Sequence, residues 1–153
     1  MTYETLGYHE TDVRVRFGQV DRYGTLWHGH VVSFCEAARA DLARPFLLGA
    51  VDLLKADLAV PMLEVNCRYT SPAFDDDALI VQSTLLKPDL PFPELRFQYR
   101  LVRAPARDEI ARVTTRQLVV RPDGRVIVRL PEPIRERLRR VWEYLSTRPA
   151  WDD

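Results

Sequence analysis

The 153-residue sequence has no long run of apolar residues. A helix that spans a bilayer needs about 20 such residues, and a secretory signal peptide needs an apolar core near its start, so neither is predicted. Cysteine is scarce, since Cys35 and Cys67 are too few for a disulfide framework and both lie in apolar-patterned segments. We therefore expect two buried free thiols and a cytoplasmic protein with no membrane partner.

A surplus of charge is also missing, because 22 Lys and Arg residues balance 22 Asp and Glu residues. Proteins that bind nucleic acids usually concentrate a basic surplus on one face, so the balance argues against a nucleic-acid partner. Hydrophobic residues make up 46% of the chain, which is enough for a real core. We expect one domain over residues 1–153.

Hydrophobic periodicity predicts a strand, a helix, four further strands and a second helix. Val13, Val15 and Phe17 alternate with polar residues, as in a half-buried strand. Apolar residues then recur at helical spacing from Val31 to Leu42, and Pro45 should end that helix. The later strands are predicted at about residues 63–69, 79–86, 95–101 and 111–121, the second helix at about 133–146, and a frayed tail at 148–153.

This order fits an α+β architecture in which a curved antiparallel sheet wraps around a largely buried central helix. The small alanines at positions 37, 38, 40 and 43 would let the sheet approach that helix closely. A curved sheet of this kind has open edges, which invite pairing with another strand. A homodimer with a continuous sheet would cover them, and pairing of dimers into a tetramer is left open.

The segment from residue 17 to residue 30 contains the residues that could take part in a reaction. It reads Phe17-Gly18-Gln19-Val20-Asp21-Arg22-Tyr23-Gly24-Thr25-Leu26-Trp27-His28-Gly29-His30. The start of the following helix offers unpaired backbone N–H groups and the positive end of the helix dipole, which suit a developing oxyanion. Asp21 in the loop could approach the same bound carbonyl, although from spacing alone a turn or helix-capping role is favoured.

This segment resembles the hotdog-fold thioesterases of the 4-hydroxybenzoyl-CoA thioesterase and YbgC-like group. The signature is an aromatic, an Asp, a Gly, a second aromatic and then Tyr or His, here Phe17, Asp21, Gly24, Trp27 and His28. Many members also have an acidic residue fifteen positions after the Asp, where this chain has Glu36.

A weaker resemblance follows downstream, where Arg68-Tyr69-Thr70-Ser71-Pro72 with Asp77 looks like the group's second strand and bulge. Together the two segments extend the resemblance over about residues 11–133, before the C-terminal helix at about 133–146. One departure stands out, because many members have Asn or Pro-Asn and then Tyr where this chain has Gly29-His30-Val31. We expect this difference to alter the acyl pocket and not the reaction.

The resemblance implies an enzyme that hydrolyses an acyl-CoA or acyl-carrier-protein thioester to the free acid and thiol. Asp21 would attack the thioester carbonyl or activate a water molecule, and the backbone N–H of His28 would polarise that carbonyl. Gly24, Trp27 and Glu36 would contact the substrate. Coenzyme A would enter only as part of the substrate, with no separate cofactor and no metal.

Two other functions remain open at this point. A hotdog dehydratase or hydratase would rely on a catalytic His with a separate acid, and the sequence has no block of that kind. A non-catalytic acyl-thioester binding protein would keep the fold and lose the carboxylate, whereas Asp21 is present.

Several residues also have simpler interpretations. His28 and His30 could ligate a metal, but no third and fourth ligand stand near them in the sequence. Glu36 could pair with Arg39 one helical turn away, and Trp27 could pack in the core. The run from Asp75 to Asp77 is typical of a solvated turn, not of a calcium site, whose ligands alternate.

Overall fold

The computed structural model describes residues 1–152, and it matches the predicted order of the main elements. The strands are β1 (Tyr3–Glu4), β2 (His9–Arg14), β3 (Met62–Tyr69), β4 (Ala78–Leu85), β5 (Lys87–Pro88), β6 (Glu94–Arg103) and β7 (Asp108–Leu118). The α-helices are α1 (Gly29–Ala43), α2 (Ala50–Lys55) and α3 (Glu132–Ser146). Among residues 1–152, no helix is long and apolar enough to cross a membrane.

Five strands form one antiparallel sheet in the order β2-β4-β6-β7-β3, while β1 and β5 pair separately. The two edges of the large sheet are therefore β2 and β3, so the predicted open edges are present. Val65 of β3 lies opposite Thr115, and Tyr69 lies opposite Ala111. Thr115 and Ala111 are buried, whereas Val65 and Tyr69 are exposed. The core face of the sheet thus continues onto β3, where this chain leaves it uncovered.

Helix α1 packs against β2 and β4 and supplies the centre of the core. Its buried residues recur at the helical spacing that the sequence predicts: Val31, Phe34, Cys35, Ala38 and Leu42. A 3-10 turn at Arg44–Phe46 follows directly, as expected from the proline at position 45. Of the four alanines expected to face the sheet, only Ala38 is fully buried, while Ala37 and Ala40 are exposed. Cys35 and Cys67 are both free, but Cys67 is only half-buried.

A polar cluster ties α1 to β2 and α3. Asp41 accepts a hydrogen bond from the Thr11 hydroxyl at 2.7 Å, and the Nε2 atom of His9 lies 2.8 Å from the same carboxylate. The Nδ1 atom of His9 lies 2.7 Å from the hydroxyl of Tyr144 in α3. The hydrogen bonds from Thr11 and His9 hold the pKa of Asp41 below its ordinary value.

The first strand ends earlier than the sequence predicts, so its predicted boundary was wrong. β2 stops at Arg14, and Phe17 lies in a 3-10 turn with 81% of its surface exposed. The N–H of Val15 still donates to the carbonyl of Asp77, and the chain leaves the sheet after this contact to enter the turn at Phe17–Gln19.

The expectation of a frayed C-terminus was also wrong for the tail as far as Trp151. The N–H of Tyr8 donates to the carbonyl of Pro149 at 2.9 Å. The Trp151 ring stacks on Tyr8 with centroids 5.4 Å apart, and its N–H donates to Gln82 at 2.8 Å. The Arg100 guanidinium lies 4.5 Å from the centre of the same ring. The tail therefore covers the outer face of β4 and β6, and Asp153 lies outside the described residues.

Candidate active site

A tight hairpin carries the predicted site residues into the start of α1. The N–H of Trp27 donates to Gln19, and the N–H of Asp21 donates to Thr25, both at 2.8 Å. At the tip, Gly24 has a φ of 80° and donates to the Asp21 carbonyl. Residues with a side chain are strained at that φ, which explains why a glycine stands three positions after the Asp.

The Asp21 carboxylate is half-buried and held by this hairpin. Its Oδ1 accepts the backbone N–H of Tyr23 at 2.9 Å and that of Thr25 at 3.2 Å. The Thr25 hydroxyl lies 3.2 Å from Oδ1 and 3.3 Å from Oδ2. The turn role considered for Asp21 is therefore confirmed. It leaves Oδ2 with unused lone pairs, since a carboxylate oxygen can accept two hydrogen bonds.

The start of α1 presents unpaired amides. The hydrogen bonds of the helix begin at His30, whose N–H donates to the Trp27 carbonyl. The N–H of Val31 then donates to the His28 carbonyl. Within residues 1–152, the N–H groups of His28 and Gly29 have no acceptor. The helix also has no side chain capping it, so its positive end is open to a ligand.

Trp27 is not a core residue, because 47% of its surface is exposed. Its ring contacts the rings of both His28 and His30, with centroids 5.0 and 5.4 Å away. A Cβ atom on Gly29 would overlap the Trp27 ring. The Trp27 ring therefore occupies the space that the asparagine of many family members would need at this position, and a larger residue at position 29 would require the ring to move.

Tyr69 of β3 reaches the start of α1 from the edge of the sheet. Its hydroxyl donates to the His28 carbonyl at 3.2 Å. Partial burial raises the pKa of Tyr69 to about 12, so the hydroxyl keeps its proton at neutral pH. Because the His28 carbonyl and the Gly29 N–H belong to one planar peptide, this bond orients one of the unpaired amides.

The downstream segment that ends at Asp77 packs against the hairpin. The N–H of Leu26 donates to the Ala73 carbonyl at 2.7 Å, and Thr25 forms an isolated antiparallel β-bridge with Phe74. Asp77 accepts the N–H of Phe74 at 2.8 Å and forms an ion pair with Arg103.

Sequence reasoning missed Arg103, which also donates to the Pro72 carbonyl at 2.8 Å. No local pattern could reveal it, because 26 residues separate it from Asp77. The solvated-turn interpretation holds for Asp75 and Asp76, which are exposed. It was wrong for Asp77, whose side chain is only 25% exposed.

Glu36 lies apart from the other predicted site residues. It pairs with Arg39, which confirms the simpler interpretation of its charge. Seven residues separate it from Gly29, or about 10 Å along the helix axis. Both members of the pair line a cavity of about 670 Å³ that is bordered by the three α-helices and the sheet. The structure therefore groups Asp21, Gly24, Trp27 and His28 on one loop, with Glu36 two turns farther along α1.

The described part of the chain, residues 1–152, has no group of three or more His, Cys, Asp or Glu side chains placed to hold a metal ion.

Comparison with known proteins identifies the family. The profile of the thioesterase-like superfamily matches residues 15–138. The chain belongs to this superfamily. A comparison with curated proteins finds no match.

Solved structures of thioesterases show the same hotdog fold. A 1,4-dihydroxy-2-naphthoyl-CoA thioesterase from Synechocystis is 19% identical with a TM-score of 0.75, covering 86% of this chain and 96% of that one. The DHNA-CoA thioesterase from Staphylococcus aureus is 16% identical with a TM-score of 0.76, over 92% and 91%. The probable thioesterase YbaW from Escherichia coli is 19% identical with a TM-score of 0.72, over 87% and 98%. The hotdog architecture predicted from the sequence is thereby confirmed, and the narrower YbgC-like resemblance stays a prediction.

Proposed function

We propose that this protein hydrolyses acyl thioesters, using the Asp21 carboxylate and the unpaired amides at the start of α1. One observation carries the proposal. A half-buried carboxylate is held by Tyr23 and Thr25 on a hairpin that leads directly into a helix start with two free N–H groups. Membership of the thioesterase-like superfamily supports the same reaction.

Two routes use these groups. In the first, an Asp21 oxygen adds to the thioester carbonyl, the thiolate leaves and takes a proton, and water then hydrolyses the mixed anhydride. In the second, Asp21 takes a proton from water as the oxygen of that water adds to the carbonyl, and the thiol leaves with the proton. In both routes the N–H groups of His28 and Gly29 stabilise the negative carbonyl oxygen. A thiol, with a pKa near 8.5, leaves readily enough for one carboxylate to suffice.

The substrate we propose is an acyl-CoA or an acyl-carrier-protein thioester, with no separate cofactor and no metal. Gly24 shapes the hairpin and Trp27 offers an exposed apolar ring beside the free amides, so both would border the reacting end of the substrate. Glu36 would meet the substrate farther along the helix, at the cavity that it lines.

We also propose that two copies of the chain form a homodimer by pairing their β3 strands. The core face continues onto β3, but its apolar residues Leu63, Val65 and Tyr69 are exposed in the single chain. Pairing of two β3 strands would cover them and extend the sheet. Light scattering should give twice the 17.8 kDa of one chain. Val65→Lys, on the core face, should give monomers, whereas Asn66→Lys on the opposite face should not; a monomeric wild type would contradict the pairing.

The function is tested by thiol release from a panel of aliphatic and aromatic acyl-CoAs and acyl-carrier proteins. In Asp21→Asn the amide oxygen can still accept the N–H groups of Tyr23 and Thr25, so the hairpin should persist while turnover falls roughly 1,000-fold. Asp12→Asn, on the exposed side of β2, serves as the control. Full activity in Asp21→Asn would refute the assignment. Binding of wild-type protein to thioesters without turnover would favour a non-catalytic binding protein.

A further inference from the structure

The large cavity lies beyond Glu36, away from the Asp21 hairpin. Its walls are mostly apolar and come from α1, α2, α3, β4 and β6, with Leu42, Leu53, Leu85, Phe97 and Val141 among them. Glu36, Arg39 and Arg121 are the charged residues in its lining. A predominantly apolar cavity of this size is typical of a small-molecule site, so its volume bears on the acyl group that the enzyme accepts.

The volume of the cavity is too large for one aromatic ring. An apolar cavity of about 150 Å³ holds one benzene molecule, whereas this cavity measures about 670 Å³. A single ring would leave most of the walls without contacts, and apolar walls without contacts lose dispersion energy. At the same filling, the space corresponds to roughly 25 carbon atoms. A long aliphatic chain fills such a space better than a benzoyl group does.

The exposed face of α1 connects the free amides with this cavity. Gly29, Ser33, Glu36 and Ala40 recur at the spacing of one helix face, and none of them is buried. Glu36 and Ala40 line the cavity. An acyl group whose carbonyl is bound at Gly29 must therefore extend about 10 Å along α1 before its tail enters the cavity. Short acyl groups do not reach it.

Two leucines separate this cavity from a second one. The second cavity measures about 290 Å³ and is lined in part by Leu86, Phe92 and Trp142. Leu95 of β6 and Leu138 of α3 line both cavities and so form the wall between them. These two side chains set the depth that is available to a chain in the larger cavity.

We propose that the acyl group is a long aliphatic chain whose tail lies in the larger cavity and extends toward the wall formed by Leu95 and Leu138. This inference rests on the proposed thioester hydrolysis for the position of the carbonyl. The substrate class follows from the cavity volume and from the distance along α1.

The first test is a chain-length series of saturated acyl-CoAs from butanoyl to octadecanoyl, with benzoyl-CoA beside it. We expect kcat/KM to rise roughly 100-fold between butanoyl and dodecanoyl, because each buried methylene strengthens binding. Benzoyl-CoA should react like the short chains. A preference for benzoyl-CoA or for butanoyl-CoA would overturn the inference.

The second test moves the wall. Leu95→Ala should shift the optimum toward longer chains, because it opens the way to the second cavity. Leu6→Ala is the control, since Leu6 is also partly buried against the core but lines neither cavity. An unchanged optimum in Leu95→Ala would contradict the role of this wall.

A binding measurement separates this inference from the proposed reaction. Calorimetry with free dodecanoate, hexadecanoate and benzoate reports on the cavity without any turnover. Tight binding of the long fatty acids in a protein that hydrolyses no thioester would support the cavity assignment and refute the reaction. Hydrolysis of thioesters with no binding preference for long chains would support the reaction and refute the cavity assignment.

Discussion

Replacing Asp77 by Asn tests whether the contacts behind the Asp21 hairpin stabilise it. Asp77 accepts the N–H of Phe74 at 2.8 Å and pairs with Arg103, and both paired side chains are only about one-quarter exposed. Hydrogen bonds to charged groups contribute roughly 1.5–3 kcal/mol each. An asparagine keeps one acceptor oxygen, and Arg103 keeps Asp108 at 3.2 Å, so part of this energy should remain.

We therefore expect Asp77→Asn to lower the free energy of unfolding by about 2 kcal/mol. For a domain of this size that corresponds to a fall in Tm of roughly 4–8 °C. The neighbouring residue offers a matched control, because Asp76 is 83% exposed and its partner Arg14 is 58% exposed. Asp76 has a φ of 66°, which asparagine tolerates, so Asp76→Asn should unfold like the wild type.

Urea and thermal unfolding followed by circular dichroism measure both variants, with thioester hydrolysis assayed in parallel. The hairpin makes backbone contacts with Ala73 and Phe74, and Asp77 holds the N–H of Phe74. Activity should therefore fall in Asp77→Asn and not in Asp76→Asn. Equal stability losses in the two variants would refute the reasoning that burial of the pair with Arg103 makes the difference. An Asp77→Asn protein that is less stable but fully active would show that the hairpin does not depend on this support.

Three further predictions follow from other contacts. Tyr69→Phe should lower kcat roughly fivefold with KM little changed, since it loses one hydrogen bond to the helix start; a lower Tm with normal kcat would mean a purely structural role. Trp151→Ala should destabilise the fold by about 2–3 kcal/mol in urea unfolding, whereas a frayed tail predicts no change. The lowered pKa of Asp41 adds stability that is complete above about pH 4 and is lost as the pH falls through the folded-state pKa. Asp41→Asn should therefore flatten the acid branch of a stability–pH curve, and an unchanged branch would contradict this linkage.

Prediction from the sequence succeeded where the signals were local. The helix from Val31 to Leu42 was predicted from its 3.6-residue repeat, and α1 buries Val31, Phe34 and Leu42 as that repeat requires. It failed where a distant partner decided the outcome. The tail docks on the sheet because the Trp151 ring stacks on Tyr8 and its N–H donates to Gln82.

The candidate site divides in the same way. Asp21, Gly24, Trp27 and His28 could be selected together because they are neighbours in the chain, and a hairpin keeps them so. The supports from Tyr69 and Arg103 could not be found, since 41 residues separate Tyr69 from His28 and 26 separate Arg103 from Asp77. Glu36 was selected by its position in a motif, and only the structure shows that it pairs with Arg39 and lines the cavity.

By itself, the sequence determined which segments become the main helices and strands and which loop carries the carboxylate, because side-chain periodicity and turn chemistry act over a few residues. Only the tertiary structure decided how large a cavity lies beside α1, which leucines separate it from the second one, and that β3 leaves the core face uncovered. These properties depend on how α1, α2, α3 and the sheet pack against one another. Volumes and uncovered surfaces arise from many distant contacts together, and no short pattern of residues encodes them.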